Sequence, residues 1–169
     1  VPSRFVLQTP YWAQTRLVPT QRDSLGWNLG SVRQTQLLAQ VPGASGPLAI
    51  DAAGDVYYAT ASATFPAPPG TVDVLRLSRA TVDAAILNNQ VLGTGDATVV
   101  IQGLDAAGDL AFDDDGDLFY VDWMNGAIGE INGASSSQAS LGPVLVDFAG
   151  SGVSGSGLQF VASSAPGDQ

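Results

Sequence analysis

The chain contains no cysteine, no histidine and no lysine, and its six cationic side chains are all arginine. Without cysteine there is no thiol nucleophile, no disulfide and no thiolate metal site. Without histidine there is neither a Ser–His–Asp relay nor an imidazole ligand. Without lysine there is no Schiff base and no Walker-type phosphate clamp. Glu130 is the only glutamate. What is left for chemistry is Asp, Tyr, Ser, Asn and Arg, which excludes most familiar catalytic constellations. Charged residues are scarce at 13%, about half the usual ~25%. No apolar run approaches the ~18 residues of a membrane helix. No signal-peptide pattern is present and the first residue is Val1, so the chain reads as processed or excised and exported, extracellular or at a cell surface.

Apolar residues make up 45% of the 169, and 20 glycines and 10 prolines accompany them. That is the composition of a folded, many-turned β-protein with one ordinary core or two small ones. The net charge of −10 repels phosphate backbones and anionic membranes, so neither nucleic acid nor a membrane span is expected. Like charge keeps such a surface soluble; calcium association is the alternative use of it.

The chain repeats itself. Residues 48–60 read LAIDAAGDVYYAT and residues 110–122 read LAFDDDGDLFYVD; six of thirteen positions are identical and four more exchange one apolar residue for another. Each copy is an alternating segment, an Asp/Gly turn and a second alternating segment, the pattern of a β-hairpin. A partial third copy, SGLQF at 156–160, matches Gly108–Phe112, so the spacings are 62 and 48 residues. DAAGD also recurs at 51–55 and 105–109, but that offset sets a strand against a turn. The offset of 62 keeps strand on strand and Gly54 on Gly116.

Four strands are expected in each unit: Pro47–Asp51, Asp55–Thr60, Asp73–Ser78 and Thr98–Gln102, then Asp109–Asp113, Asp117–Asp122, Ala127–Asn132 and Pro143–Phe148. A helical turn is expected within 80–96, and small-residue loops at Ser135–Ser140 and Gly150–Gly157. Arg4–Thr9, Thr15–Val18 and Thr35–Val41 read as the last three strands of a preceding unit, with Tyr11, Trp12 and Trp27 as anchors. Long-period β-hairpin repeats of this length indicate an all-β propeller of four-stranded antiparallel blades. The expected division is a partial blade over 1–46, blades over 47–108 and 109–156, and the first strand of a next blade within 157–169. Three blades do not close a ring, so completion by association of two chains, or membership of a larger propeller, is expected.

The frame Leu48-Ala49-Ile50-Asp51 with Gly54-Asp55-Val56-Tyr57, repeated as Leu110-Ala111-Phe112-Asp113 with Gly116-Asp117-Leu118-Phe119, resembles the blades of NHL-repeat and gluconolactonase-like six-bladed propellers. Asp122-Trp123-Met124-Asn125-Gly126 with Ile128 and Ile131 resembles that family's segment between second and third strands. The resemblance covers roughly residues 35–161. It implies fold more than function, since such blades serve lactonases, lyases, binding modules and scaffolds. Lactonases of this kind hold a divalent cation with Glu, Asn and Asp, whereas Glu130 falls in a third strand here. Streptogramin-lyase-like propellers use a histidine, which this chain lacks.

Three further features were weighed. Asp113, Asp115 and Asp117 alternate beside Gly116 in the manner of a calcium loop, although the glycine falls one residue early for an EF-hand and Met124 stands at its twelfth position. The companion turn Asp51–Asp55 argues for ordinary turn chemistry instead. Asp122, Trp123 and Asn125 combine a carboxylate, an aromatic and an amide, as a small polar or sugar ligand would need; capping of a neighbouring blade by Trp123 is the other reading. Phe65–Gly70 is a Pro-rich connector, with polyproline recognition as its alternative. No cofactor is implied apart from that candidate calcium. The expected function is a non-catalytic scaffold, binding or assembly module that self-associates through strand edges and blade faces. The alternatives are a calcium-dependent lactonase or hydrolase and a carbohydrate-binding propeller.

Overall fold

The computed structural model describes residues 4–8, 11–17, 33–40, 47–60, 68–151, 157, 158 and 160, with side chains from Leu37 onward. Its strands fall in three antiparallel sheets in chain order. The first holds β1 (Arg4–Gln8), β2 (Tyr11–Leu17) and β3 (Arg33–Gln40). The second holds β4 (Leu48–Ile50), β5 (Val56–Ala59), β6 (Val72–Leu77) and β7 (Thr98–Leu104). The third holds β8 (Leu110–Phe112), β9 (Leu118–Asp122), β10 (Ala127–Asn132) and β11 (Ser140–Asp147). Each is a simple meander, every strand pairing with its sequence neighbour.

The two β-hairpins that open the second and third sheets are built alike. Asp51 and Asp113 each accept a turn amide on Oδ1, from Asp55 (2.9 Å) and Asp117 (2.9 Å). Gly54 and Gly116 sit at φ 88° and 90°, a region in which a Cβ is strained and glycine is not. These turns set the register Leu48↔Tyr58 and Leu110↔Tyr120. The second DAAGD, residues 105–109, lies in the connection from β7 to β8 and is not a hairpin turn.

The middle sheet is covered on both faces. Val56, Tyr58, Leu75 and Leu77 point into one core with Leu38 and Ala39 of β3 and with Val82, Ala85 and Leu92. Tyr57, Ala59, Val72 and Val74 point into a second core with Leu110, Leu118 and Ile131 of the third sheet. Strict alternation within β5 and β6 therefore serves two cores, which is why all four residues of β5 are buried. The first strands β4 and β8 of the two sheets lie side by side.

Between β6 and β7 runs α1 (Arg79–Asn88), capped by Ser78, whose Oγ accepts from the Thr81 amide at 3.1 Å, and ended by Asn89 at φ 53°. The helical turn expected here extends to ten residues because the Ser78 cap starts the helix and Val82 and Ala85 bury one face. Past the helix, Leu92 is clasped to β3: its amide donates to Leu38 O and its carbonyl accepts from Gln40 N, both at 2.8 Å.

One further expectation needs correction, and one falls mostly outside the described residues. β2 begins at Tyr11, so Tyr11 and Trp12 are strand residues paired with Gln40 and Ala39 of β3. Gly157, Leu158 and Phe160 are not in a strand. The Leu158 amide donates to the Asp109 carboxylate at 2.7 Å, and residues 159 and 161–169 of the expected first strand lie outside the described residues. Trp27 and most of the connector 61–70 lie outside the described residues.

Candidate functional site

At one end of the stack, the β9–β10 turn and the β7–β8 connection meet. Asp122 is buried at the end of β9. Its Oδ1 accepts from the amides of Met124 (3.0 Å) and Asn125 (2.9 Å), and its Oδ2 from Asn125 Nδ2 (2.7 Å). Asn125 Nδ2 also donates to Asp105 Oδ2 at 2.9 Å, and Asp105 Oδ1 accepts from Gly70 N at 2.8 Å. The structure thus joins Asp122 and Asn125 and adds Asp105, which sequence reasoning left in a connector. The three side chains tie the β9–β10 turn to the connection from β7 and to the β5–β6 connector. Trp123 is part-exposed beside Gly108, where a Cβ would meet its ring edge at 3.1 Å. Burial, and then the charges of Asp122 and Asp105, raise the pKa of the Tyr120 phenol on the same sheet.

The opposite end carries a second cluster that sequence reasoning missed. Asp51 Oδ2 accepts from Tyr57 OH at 3.1 Å and from Ser135 Oγ at 3.2 Å. Arg76 donates from its guanidinium to Ser135 O at 3.0 Å and lies 3.8 Å from Asp55. Tyr57 is fully buried, and burial chiefly raises its phenol pKa, the Asp51 charge adding to the effect while Ser135 and Arg76 oppose it. The second sheet is thereby tied to the β10–β11 turn of the third. Asp51 and Tyr57 stand in the repeated frame and were legible as such. Ser135 sits in a run of small residues that carries no signal.

Asp113, Asp115 and Asp117 do not converge. Asp113 Oδ1 accepts from the amides of both Asp115 (3.0 Å) and Asp117 (2.9 Å), as a hairpin turn requires. Among the described residues no group of three or more acidic side chains is placed to hold a metal ion.

The same use of carboxylates recurs throughout. Asp73 accepts from Gly103 N, Asp96 from Gly93 N, Asp109 from Leu110 N and Asp147 from Ala149 N. Chemically, these oxygens are acceptors for the chain's own amides, and Ser135 faces a carboxylate with no imidazole to relay its proton.

Aromatic contacts carry the repeat across the sheets. Phe112 of β8 meets Tyr57 of β5 edge-on, with ring centroids 4.9 Å apart. Phe160 meets Phe119 of β9 at 4.8 Å. Phe119 is the repeat counterpart of Tyr57, and Phe160 that of Phe112. Comparison with protein-family models, curated proteins and solved structures found no match for this chain.

Proposed function

We propose that the chain is a non-catalytic, exported scaffold or assembly module made of propeller-type, four-stranded blades. The observation that carries the reading is the repeated seat: Phe112 rests on Tyr57 as Phe160 rests on Phe119. A unit that docks on its predecessor by the same ring contact at each repeat is the building principle of a blade series. Burial of both faces of the middle sheet agrees with this, because an internal blade has a neighbour on each side. The side-by-side placement of β4 and β8 agrees as well, as first strands gather round an axis in such folds.

The non-catalytic part of the reading rests on the acceptor inventory. The carboxylates nearest a conceivable site, Asp51, Asp105, Asp113 and Asp122, each hold turns or neighbouring sheets together. Function then lies in the surfaces that the blades present, with Asp-rich turns keeping the exterior hydrated.

The test is an assay of the full chain on lactone and ester substrates, with calcium and with a chelator, beside a glycan array. Hydrolysis no faster than buffer and an empty array are expected. Calcium-dependent turnover, or saturable glycan binding, would overturn the scaffold reading.

A further inference from the structure

The middle sheet shows what a covered blade face looks like. Tyr57 and Ala59 of β5, Val74 of β6 and Ile101 of β7 share one face, since Ala59 pairs with Val74 and Val74 with Ile101. The third sheet lies over them, and Tyr57, Ala59 and Val74 are at most 1% exposed.

The third sheet carries the counterpart of this face in the same register. Phe119 and Val121 of β9 take the places of Tyr57 and Ala59. Val121 pairs with Ile128, and Ile128 with Val146 of β11. Phe119 and Val121 are covered, at 7% and 1% exposure, with Phe160 seated on the former. The outer half is open: Val146 is 38% exposed and Ile128 half-buried. Phe160 therefore covers the inner part of this face, and the part around Ile128 and Val146 is open.

The first sheet has the complementary form. It contains three strands in meander order, and among the described residues nothing pairs with the outer edge of β1. Charge favours the match. Residues 1–46 hold four of the six arginines (Arg4, Arg16, Arg22 and Arg33) and one acidic residue, Asp23, whereas residues 47–169 hold two arginines and fifteen acidic residues. The chain is thus basic at one end and strongly acidic over the rest, and opposite charges steer such surfaces together. Glu130 pairs with Phe119 and lies on the open face itself.

We propose that the open face of the third sheet, centred on Ile128 and Val146, docks the first sheet of a second copy of this chain. The contact is reciprocal, so two copies close on each other with two equal interfaces. The inference rests on the blade reading above.

Light scattering on the full chain tests it. A sharp dimer of 17.3 kDa chains is expected in the micromolar range, weakening as salt rises. Val146→Asp places a charge in the contact and is expected to raise the dimer dissociation constant by roughly tenfold or more, with an unchanged far-ultraviolet circular dichroism spectrum. Leu87→Asp, on the exposed side of α1, keeps the dimer. Because the chain has no cysteine, Ser140→Cys supplies a single thiol on the open face for a photo-cross-linker. Intermolecular adducts within residues 4–40 are expected, and adducts confined to other parts of the second copy would overturn the proposal. So would a wild-type monomer, or a Val146→Asp chain with undiminished dimer. A monomer in which Phe119→Ala and Phe160→Ala still act non-additively on stability leaves the blade reading intact. Strictly additive effects of those two substitutions overturn the blade reading and this inference with it.

Discussion

The ring of Phe160 lies 4.8 Å from that of Phe119 and is tilted 59° to it, repeating the seat that Phe112 takes on Tyr57. Phe119 is nearly buried by its neighbours, including this ring. Truncating Phe119 to Ala is expected to cost about 3 kcal/mol. The pair itself contributes about 1 kcal/mol beyond area burial. A double-mutant cycle by urea denaturation measures it; a coupling energy indistinguishable from zero would remove the repeated seat and the blade reading that rests on it.

Asp51 and Asp113 occupy the same repeat position but do unequal work. Both close a hairpin turn, yet only Asp51 also accepts from Tyr57 OH and Ser135 Oγ across to the third sheet. Asp51→Ala is expected to cost about 2–3 kcal/mol and Asp113→Ala about 1 kcal/mol. Thermal melts of the two variants check the order. Equal losses would show that the link between sheets contributes nothing.

Gly129 leaves room for the ring across the strand pair. A Cβ at this position would stand 2.5 Å from Tyr120 Cζ and Oη, so the ring must move. Gly129→Ala is expected to destabilise by about 1–3 kcal/mol. Combining it with Tyr120→Ala removes the clash, so the double variant should lose less than the sum of the single losses. Simple additivity would contradict the packing described.

Tyr58 carries the largest titration effect. Burial, with a smaller contribution from the charge of Asp96, pushes its phenol up to about 12. The folded state therefore favours the neutral phenol. That stability is fully present below the unfolded value of about 10 and is lost as pH rises from there through about 12. On the order of 2 kcal/mol goes in that window. Tyrosinate absorbance recorded together with circular dichroism should show Tyr58 ionising with loss of structure. Tyr58→Phe should blunt that loss.

Calcium offers a further check. Asp113 uses its carboxylate on two turn amides, and Asp115 and Asp117 do not complete a ligand set with it. Millimolar calcium is expected to leave the melting temperature where magnesium leaves it. A calcium-specific rise would show that these carboxylates bind the ion after all.

Much of the strand pattern was legible because its causes are local. Alternation in Val72–Leu77, the Asp-x-x-Gly-Asp turns and the Ser78 cap act within a few residues, and the second and third sheets follow them closely. The repeat offset of 62 pairs Tyr57 with Phe119 from the sequence alone. Legibility failed where the partner is distant in sequence. Ser135 lies 78 residues from Tyr57 in a stretch of small residues, and Asp105 lies 20 residues from Asn125. Neither has a neighbour that marks it. The extent of α1 was missed because its apolar face is narrow: Val82 and Ala85 are buried, whereas Leu87 is exposed.

By itself the sequence determined the β-meanders, their turns and their repeat, since backbone preference and hydrophobic period act over short stretches. It also determined which chemistries are absent, because no fold can supply a missing imidazole or thiol. The tertiary structure decided how those meanders stack. Val56 and Tyr57 are adjacent in sequence and both fully buried, yet they enter different cores. Only the positions of neighbouring sheets determine that both faces of β5 are covered, while Val146, on the counterpart face of the third sheet, stays open. Apolar burial has no direction of its own. A strand pattern therefore states which residues seek cover, and the packed neighbours decide what covers them.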